Sequence, residues 1–202
     1  MHSVWTQFQS VTFVAAAFLS LAVPGGAVAQ SPASAHAFAF DLPNGEQLPL
    51  SSFAGKAVLV VNTATECGFK NQIGDLQDLH ERYSDKGLVV VGVPSNDFGG
   101  QEPRANDEIA GFCEARYGAK FPMTNKTRVK GEDAHPFYQW AVAELGDASR
   151  PYWNFHKYLI GPDGKLVTFF PTPTRPTSTE VTSKVEQVIA ALPAADEAAP
   201  QN

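Results

Sequence analysis

Two short runs dictate most of what this chain can fold into. Ala57-Val58-Leu59-Val60-Val61 and Leu88-Val89-Val90-Val91-Gly92-Val93 are apolar and largely β-branched, without alternation. That is the pattern of strands covered on both faces. Between them Ile73, Leu76, Leu79 and Tyr83 recur at helical spacing, and Lys86-Gly87 supplies a helix stop. Strand, helix, strand is a βαβ unit, so the two strands are expected to lie parallel and adjacent, with a right-handed crossover.

The remaining patterns extend that unit. Leu42-Pro43-Asn44-Gly45 reads as the turn of an N-terminal hairpin. A helix over about Asn106 to Tyr117 places Ile109, Phe112 and Cys113 on one face, and another starts at His135-Pro136, with proline in the first turn. Lys157–Ile160 and Leu166–Phe170 flank Pro162-Asp163-Gly164, a second hairpin, and a last helix runs from about Ser178 to Ala191 before Pro193. The expected class is α/β: a mixed central sheet with helices on both faces, the pattern of a thioredoxin-like fold.

The ends differ in composition. Val11 to Val23 is apolar but short for a membrane span, and is followed by Pro24-Gly25-Gly26 and the small-x-small triplet Ala27-Val28-Ala29. Residues 1–29 therefore read as a signal peptide, although no Lys or Arg precedes the run; an uncleaved anchor is the alternative. Residues 30–37 read as a linker, 38–193 as the folded domain and 194–202 as a disordered tail. A formal net charge of −6 argues against nucleic acid or anionic lipid as the main partner.

Only two cysteines occur, Cys67 and Cys113. In an exported chain they are open to two readings, a structural disulfide or reactive thiols. Cys67 falls beyond the carboxyl end of the first buried strand and just before a helix, where the helix dipole and free N–H groups favour a thiolate. Lys70 would add to that effect, and Glu66 would oppose it if turned toward the sulfur. Position 70 is lysine, so the Cys-x-x-Cys pair of a dithiol reductase is absent. Cys113, on the apolar face of its helix, reads by itself as a core cysteine. His80, His135 and His156 have no ligand spacing, and His135 reads as a helix-start residue.

Val61-Asn62-Thr63-Ala64-Thr65-Glu66-Cys67-Gly68-Phe69 resembles the active-site loop of the glutathione peroxidase family. Phe98-Gly99-Gly100-Gln101-Glu102-Pro103, Val129-Lys130-Gly131-Glu132-Asp133-Ala134-His135-Pro136 and Trp153-Asn154-Phe155-His156-Lys157-Tyr158-Leu159 resemble further blocks of that family, in its order. The resemblance spans roughly Phe38 to Leu192. It implies a thiol peroxidase acting on hydrogen peroxide and organic or lipid hydroperoxides. Cys67, Gln101, Trp153 and Asn154 would be the catalytic group: a thiolate that attacks the peroxide, and neutral donors for the developing charge.

The resemblance also implies that Cys113 resolves the Cys67 sulfenic acid, with a thioredoxin-like protein or glutathione as the thiol reductant and co-substrate, and no bound cofactor. A disulfide needs Cα atoms within about 7 Å, so a helical Cys113 implies local unwinding, eased by Gly111 and Gly118. A bacterial periplasmic setting is implied, and the short Leu145–Tyr152 stretch resembles monomeric members. The family often has a further cysteine where this chain has Ser95, and Asp97 adds negative charge that would oppose a thiolate if it faced Cys67. A redox-sensing or binding module of the same fold is the rival reading.

Overall fold

The computed structural model describes Met1–His2, Pro32 and Ser34–Leu192. Residues 1–30 and 31–202 form separate units, and the fold below is that of the second. The expected signal peptide, apart from Met1 and His2, and the expected tail lie outside the described residues. Within the described residues no helix is long and apolar enough to cross a membrane.

Packing starts ahead of Phe38. Ser34 Oγ accepts from His36 N and caps a 3-10 turn, Ala35–Ala37. Ala35 is fully buried, and its N–H donates to Gly164 O. The end of the expected linker thus belongs to the fold, because small residues fit against the tight Pro162–Gly164 turn. Then come β1 (Ala39–Asp41) and β2 (Gln47–Pro49), the expected antiparallel hairpin, which forms its own two-stranded sheet.

The central sheet contains β3 (Ala57–Thr63), β4 (Leu88–Pro94), β5 (Lys157–Ile160) and β6 (Leu166–Phe170), in the order β4-β3-β5-β6. The expected βαβ unit is formed: α1 (Gln72–Tyr83) joins β3 to β4, which pair in parallel from Ala57↔Leu88 to Thr63↔Pro94. Gly87 ends the connection at φ +99°, with a Cβ there meeting Leu192 at 2.5 Å, so no other residue fits without a shift. The other helices are α2 (Asn106–Tyr117), α3 (Pro136–Leu145) and α4 (Thr179–Ala190). His135 is the N-cap of α3: its Nδ1 accepts from Phe137 N.

Alternation along β3 splits the core. Leu59 and Val61 pack with residues of α1, α2 and α4 on one face. Val58 and Val60 pack on the other with α3 and with Phe38 and Phe40. Topology then fixes where loops can meet. The loops after β3 and β4 leave the same end of the sheet, because those strands are parallel. β5 runs antiparallel to β3, with Lys157 opposite Val61, so the segment before β5 arrives at that end too. Three loops converge there, outside the carboxyl end of β3.

Candidate active site

Strand β3 runs two residues beyond its apolar stretch, through Asn62 and Thr63, both buried. Buried polar groups at a strand end need partners, and they supply the framework of this site. After β3 the backbone makes consecutive turns, Lys70 N to Cys67 O, Gln72 N to Phe69 O and Ile73 N to Lys70 O, that wind into α1. Cys67 lies in these turns, fully buried, and Phe69 N donates to its Sγ at 3.5 Å.

The two acidic residues that could have opposed a thiolate are committed elsewhere. Glu66 Oε1 accepts from Arg104 at 2.7 Å, with Lys70 Nζ at 4.0 Å from its other oxygen. The Arg104 hydrogen bond holds the exposed Glu66 carboxyl below its ordinary range. Asp97 Oδ2 accepts from Val129 N and Lys130 N.

Gln101 sits in the loop after β4. Its carbonyl accepts from Glu66 N at 3.0 Å, which ties it to the Cys67 loop. Gly99 and Gly100, at φ +67° and +65°, make the turn that presents it. Its side-chain Oε1 accepts from Asn154 Nδ2 at 3.0 Å. Asn154 is fully buried, and its Oδ1 has no partner among the described residues. Trp153 is 38% exposed, and its ring lies 5.8 Å from that of Phe98. The structure therefore joins Gln101 to Asn154 directly, and joins both to the Cys67 loop through the Gln101 backbone.

Cys113 is buried on α2 in the same apolar cluster as Cys67, and both thiols are free. Burial, with the Glu102 carboxylate adding to it, pushes the Cys113 thiol up to about 12. Of the residues of α2 only Ile109 and Cys113 are buried, against seven in α1.

Several residues of the site carry no signal of their own in the sequence. Glu102, fully buried, accepts from Thr65 N and Thr65 Oγ1 at 2.9 and 2.7 Å. Arg104 donates to Thr65 Oγ1 and Glu66 Oε1, and its guanidinium carbon lies 3.6 Å from the Phe112 ring centroid. It clasps α2 to the Cys67 loop. Glu102 stands beside Gln101 in a block that resembles the family, and that position is its only signal. Asn62 and Lys157 likewise stand inside such blocks with no role attached.

His156 is buried and stacked on Phe169, with Nε2 unpartnered among the described residues. Burial, helped by the charge of Lys157, pushes it down to about 4, so it is neutral at pH 7. An unfolded histidine titrates near 6.5, so the folded chain resists a proton that the unfolded chain accepts. The stability contribution is present above pH 6.5 and is lost as pH falls through 4, up to about 3 kcal/mol. His156→Phe is expected to flatten that loss; urea melts from pH 7 to pH 4 check it, and parallel curves for both proteins would refute it.

The fold is that of a thioredoxin-like α/β protein, and the candidate site lies beyond the carboxyl end of β3. Residues 35–142 match the family described as glutathione peroxidase. The chain is 42% identical over 145 residues to a glutathione peroxidase homolog, BsaA, of Halalkalibacterium halodurans, covering 71% of this chain and 92% of the relative. It is 37% identical over 169 residues to the hydroperoxy fatty acid reductase gpx1 of Synechocystis sp., covering 80% and 99%. A crystal structure of Trgpx in apo form superposes with TM-score 0.64 at 32% identity, covering 79% of this chain and 97% of that one. The chain belongs to the glutathione peroxidase family, and it is a peroxidase.

Proposed function

We propose that Cys67 is the thiol that reduces hydroperoxides and that Gln101, Trp153 and Asn154 assist it. The observation that carries this is the hydrogen-bonded Gln101–Asn154 pair, anchored to the Cys67 loop through the Gln101 carbonyl, with the partly exposed Trp153 next to it. The Cys67 thiolate attacks one peroxide oxygen, the O–O bond breaks, and sulfur is oxidised to a sulfenic acid. The other oxygen leaves as alkoxide or hydroxide and takes up a proton. The Cys113 thiol then attacks the sulfenic sulfur and expels water. A thioredoxin-like dithiol, or glutathione, reduces the resulting disulfide. The shallow burial of α2 supports this step: only Ile109 and Cys113 are fully buried, and a helix so placed opens locally more readily than α1, which buries seven.

The substrates are hydrogen peroxide and organic or lipid hydroperoxides. Beside Trp153 lies a cavity of about 310 Å³ walled by Phe69, Tyr152, Pro171 and Pro173, with Arg150 also lining it. Phe69 and Tyr152 are 41% and 70% exposed; exposed aromatics gathered at one site suit an apolar ligand. The fatty-acid hydroperoxide activity named for the Synechocystis relative supports the same reading. On this proposal the chain is exported to the periplasm, a reading supported by the apolar run at 11–23 and the Ala27-Val28-Ala29 triplet, and acts as a monomer, a reading supported by the short Leu145–Tyr152 stretch.

The test is stopped-flow reduction of hydrogen peroxide, cumene hydroperoxide and a long-chain fatty acid hydroperoxide by the reduced protein. Fast oxidation by all three is expected. Tyr152→Ala should lower the rate constant for the long-chain substrate about tenfold, the loss of one apolar contact, with hydrogen peroxide unaffected. Rates no faster than free cysteine would return the chain to the sensing or binding reading.

A further inference from the structure

The turn that carries Trp153 and Asn154 is held in a conformation its own sequence disfavours. Phe155 has φ +64°, the only positive φ at a non-glycine residue among the described residues. A bulky aromatic residue avoids that region, so the surroundings must impose it. Every polar group of Asn62 serves this purpose. Its Nδ2 donates to Trp153 O and its Oδ1 accepts from His156 N. Its backbone N–H donates to His156 O, and its carbonyl accepts from Phe155 N at 2.6 Å. Thr172 Oγ1 donates to Asn154 O at 2.7 Å.

One carbonyl in the turn is left, that of Phe155, and it accepts from Lys157 Nζ at 2.6 Å. Lys157 is fully buried, and this is its side chain's one hydrogen bond among the described residues. Asp75 and Glu180 attract its charge from α1 and α4 without bonding to it, while Arg175 Nε and Nη2 bind both oxygens of Asp75. Burial pushes Lys157 down to about 7. The Lys157 amino group is committed to the carbonyl of the strained residue.

We propose that Lys157 and Asn62 are positioning residues for peroxide reduction, bracing the left-handed Phe155 turn so that Trp153 and Asn154 keep their places beside the Cys67 loop. The inference rests on the catalytic reading of Asn154 given above. Lys157→Met keeps the length of the side chain and removes the donor. In the full chain it is expected to leave thermal stability equal or higher, and to slow hydrogen peroxide reduction about ten- to a hundredfold, the scale of an ångström misplacement. In heteronuclear NMR the Trp153 indole signal, assigned against Trp153→Phe, should shift.

The deciding measurement is a double-mutant cycle with Asn154→Ala. If Lys157 acts through the turn, Lys157→Met slows the Asn154→Ala protein less than about twofold. Full multiplication of the two effects overturns the brace. A wild-type rate for Lys157→Met beside a slowed Asn154→Ala also overturns it, and leaves the site assignment standing. A wild-type rate for Asn154→Ala removes the site assignment and the brace together. Should Lys157→Met fail to fold, Asn62→Ala, which loses the side-chain bonds to Trp153 O and His156 N without adding a charge, takes its place in the cycle, and each outcome bears in the same way on the Asn62 part of the brace.

Discussion

Cys67→Ser reduces hydroperoxide consumption to background, a loss expected to exceed about 10³-fold, as for removal of a nucleophile elsewhere. Serine keeps the size, the burial and the Phe69 N–H contact. It lacks the polarisable sulfur nucleophile that displaces oxygen from oxygen. The fold should be unaffected, so circular dichroism and the melting temperature serve as controls. Mass spectrometry after one equivalent of peroxide should find no added oxygen at position 67. If Cys67→Ser kept a tenth of the rate, the chemistry would belong to another group, and Cys113 would be the first to examine.

Cys113→Ser is expected to separate the first turnover from the rest. The initial oxidation of Cys67 proceeds at the wild-type rate, because Cys113 does not touch the peroxide in that step. Turnover with a thioredoxin-type reductant then falls at least about tenfold, since no intramolecular disulfide forms and sulfenic acid persists long enough to climb to sulfinic acid. pH supplies a second reading of the wild type. The unfolded-chain reference for a thiol is 9.0, and buried Cys113 lies near 12. Disulfide formation should therefore rise with pH toward about 9, the value of an opened helix, if α2 releases Cys113 before it reacts. A rise that continues toward 12 would mean attack from the intact helix. Linkage has the matching sign: the folded state holds the proton more tightly, so this contribution to stability is complete below pH 9 and is lost as pH rises through 12. Wild-type turnover in Cys113→Ser would leave the cysteine as packing alone.

The ribbon of β3, α1 and β4 was legible because continuous apolar runs and a helical stripe are local signals, each complete within a few residues. So were α3, announced by His135-Pro136, and the Pro162-Asp163-Gly164 hairpin. The start of the domain was not, because Ala35 is buried only through its contact with the Gly164 turn, and Ser, Pro and Ala in sequence look the same packed or loose. Of the site, Gln101 and Asn154 emerged from a resemblance, and the structure adds that they bond to each other. The directions of Glu66 and Asp97 could not be read, since each depends on a partner more than thirty residues away, Arg104 and the Val129–Lys130 backbone. Asn62 and Lys157 were harder still. A polar residue at the end of an apolar strand looks like the place where burial stops, whereas here burial continues and the polarity is consumed by a turn ninety residues downstream.

The sparse burial of α2 has a thermodynamic side. Ile109 and Cys113 are its only fully buried residues, with Phe112 and Tyr117 packed partly buried against the same core, so drawing Cys113 out to meet Cys67 would remove one of its two deepest anchors. The proposed disulfide form would carry the cost of that unpacking, and the reduced form does not. A cost of about 1.4 kcal/mol corresponds to roughly 30 mV in a two-electron couple, and its sign makes the disulfide the more oxidising. If Cys113 resolves Cys67 as proposed, the helix would work as a spring, loaded by peroxide and unloaded by the incoming dithiol, the energy lost in leaving the core being returned when the reductant restores it.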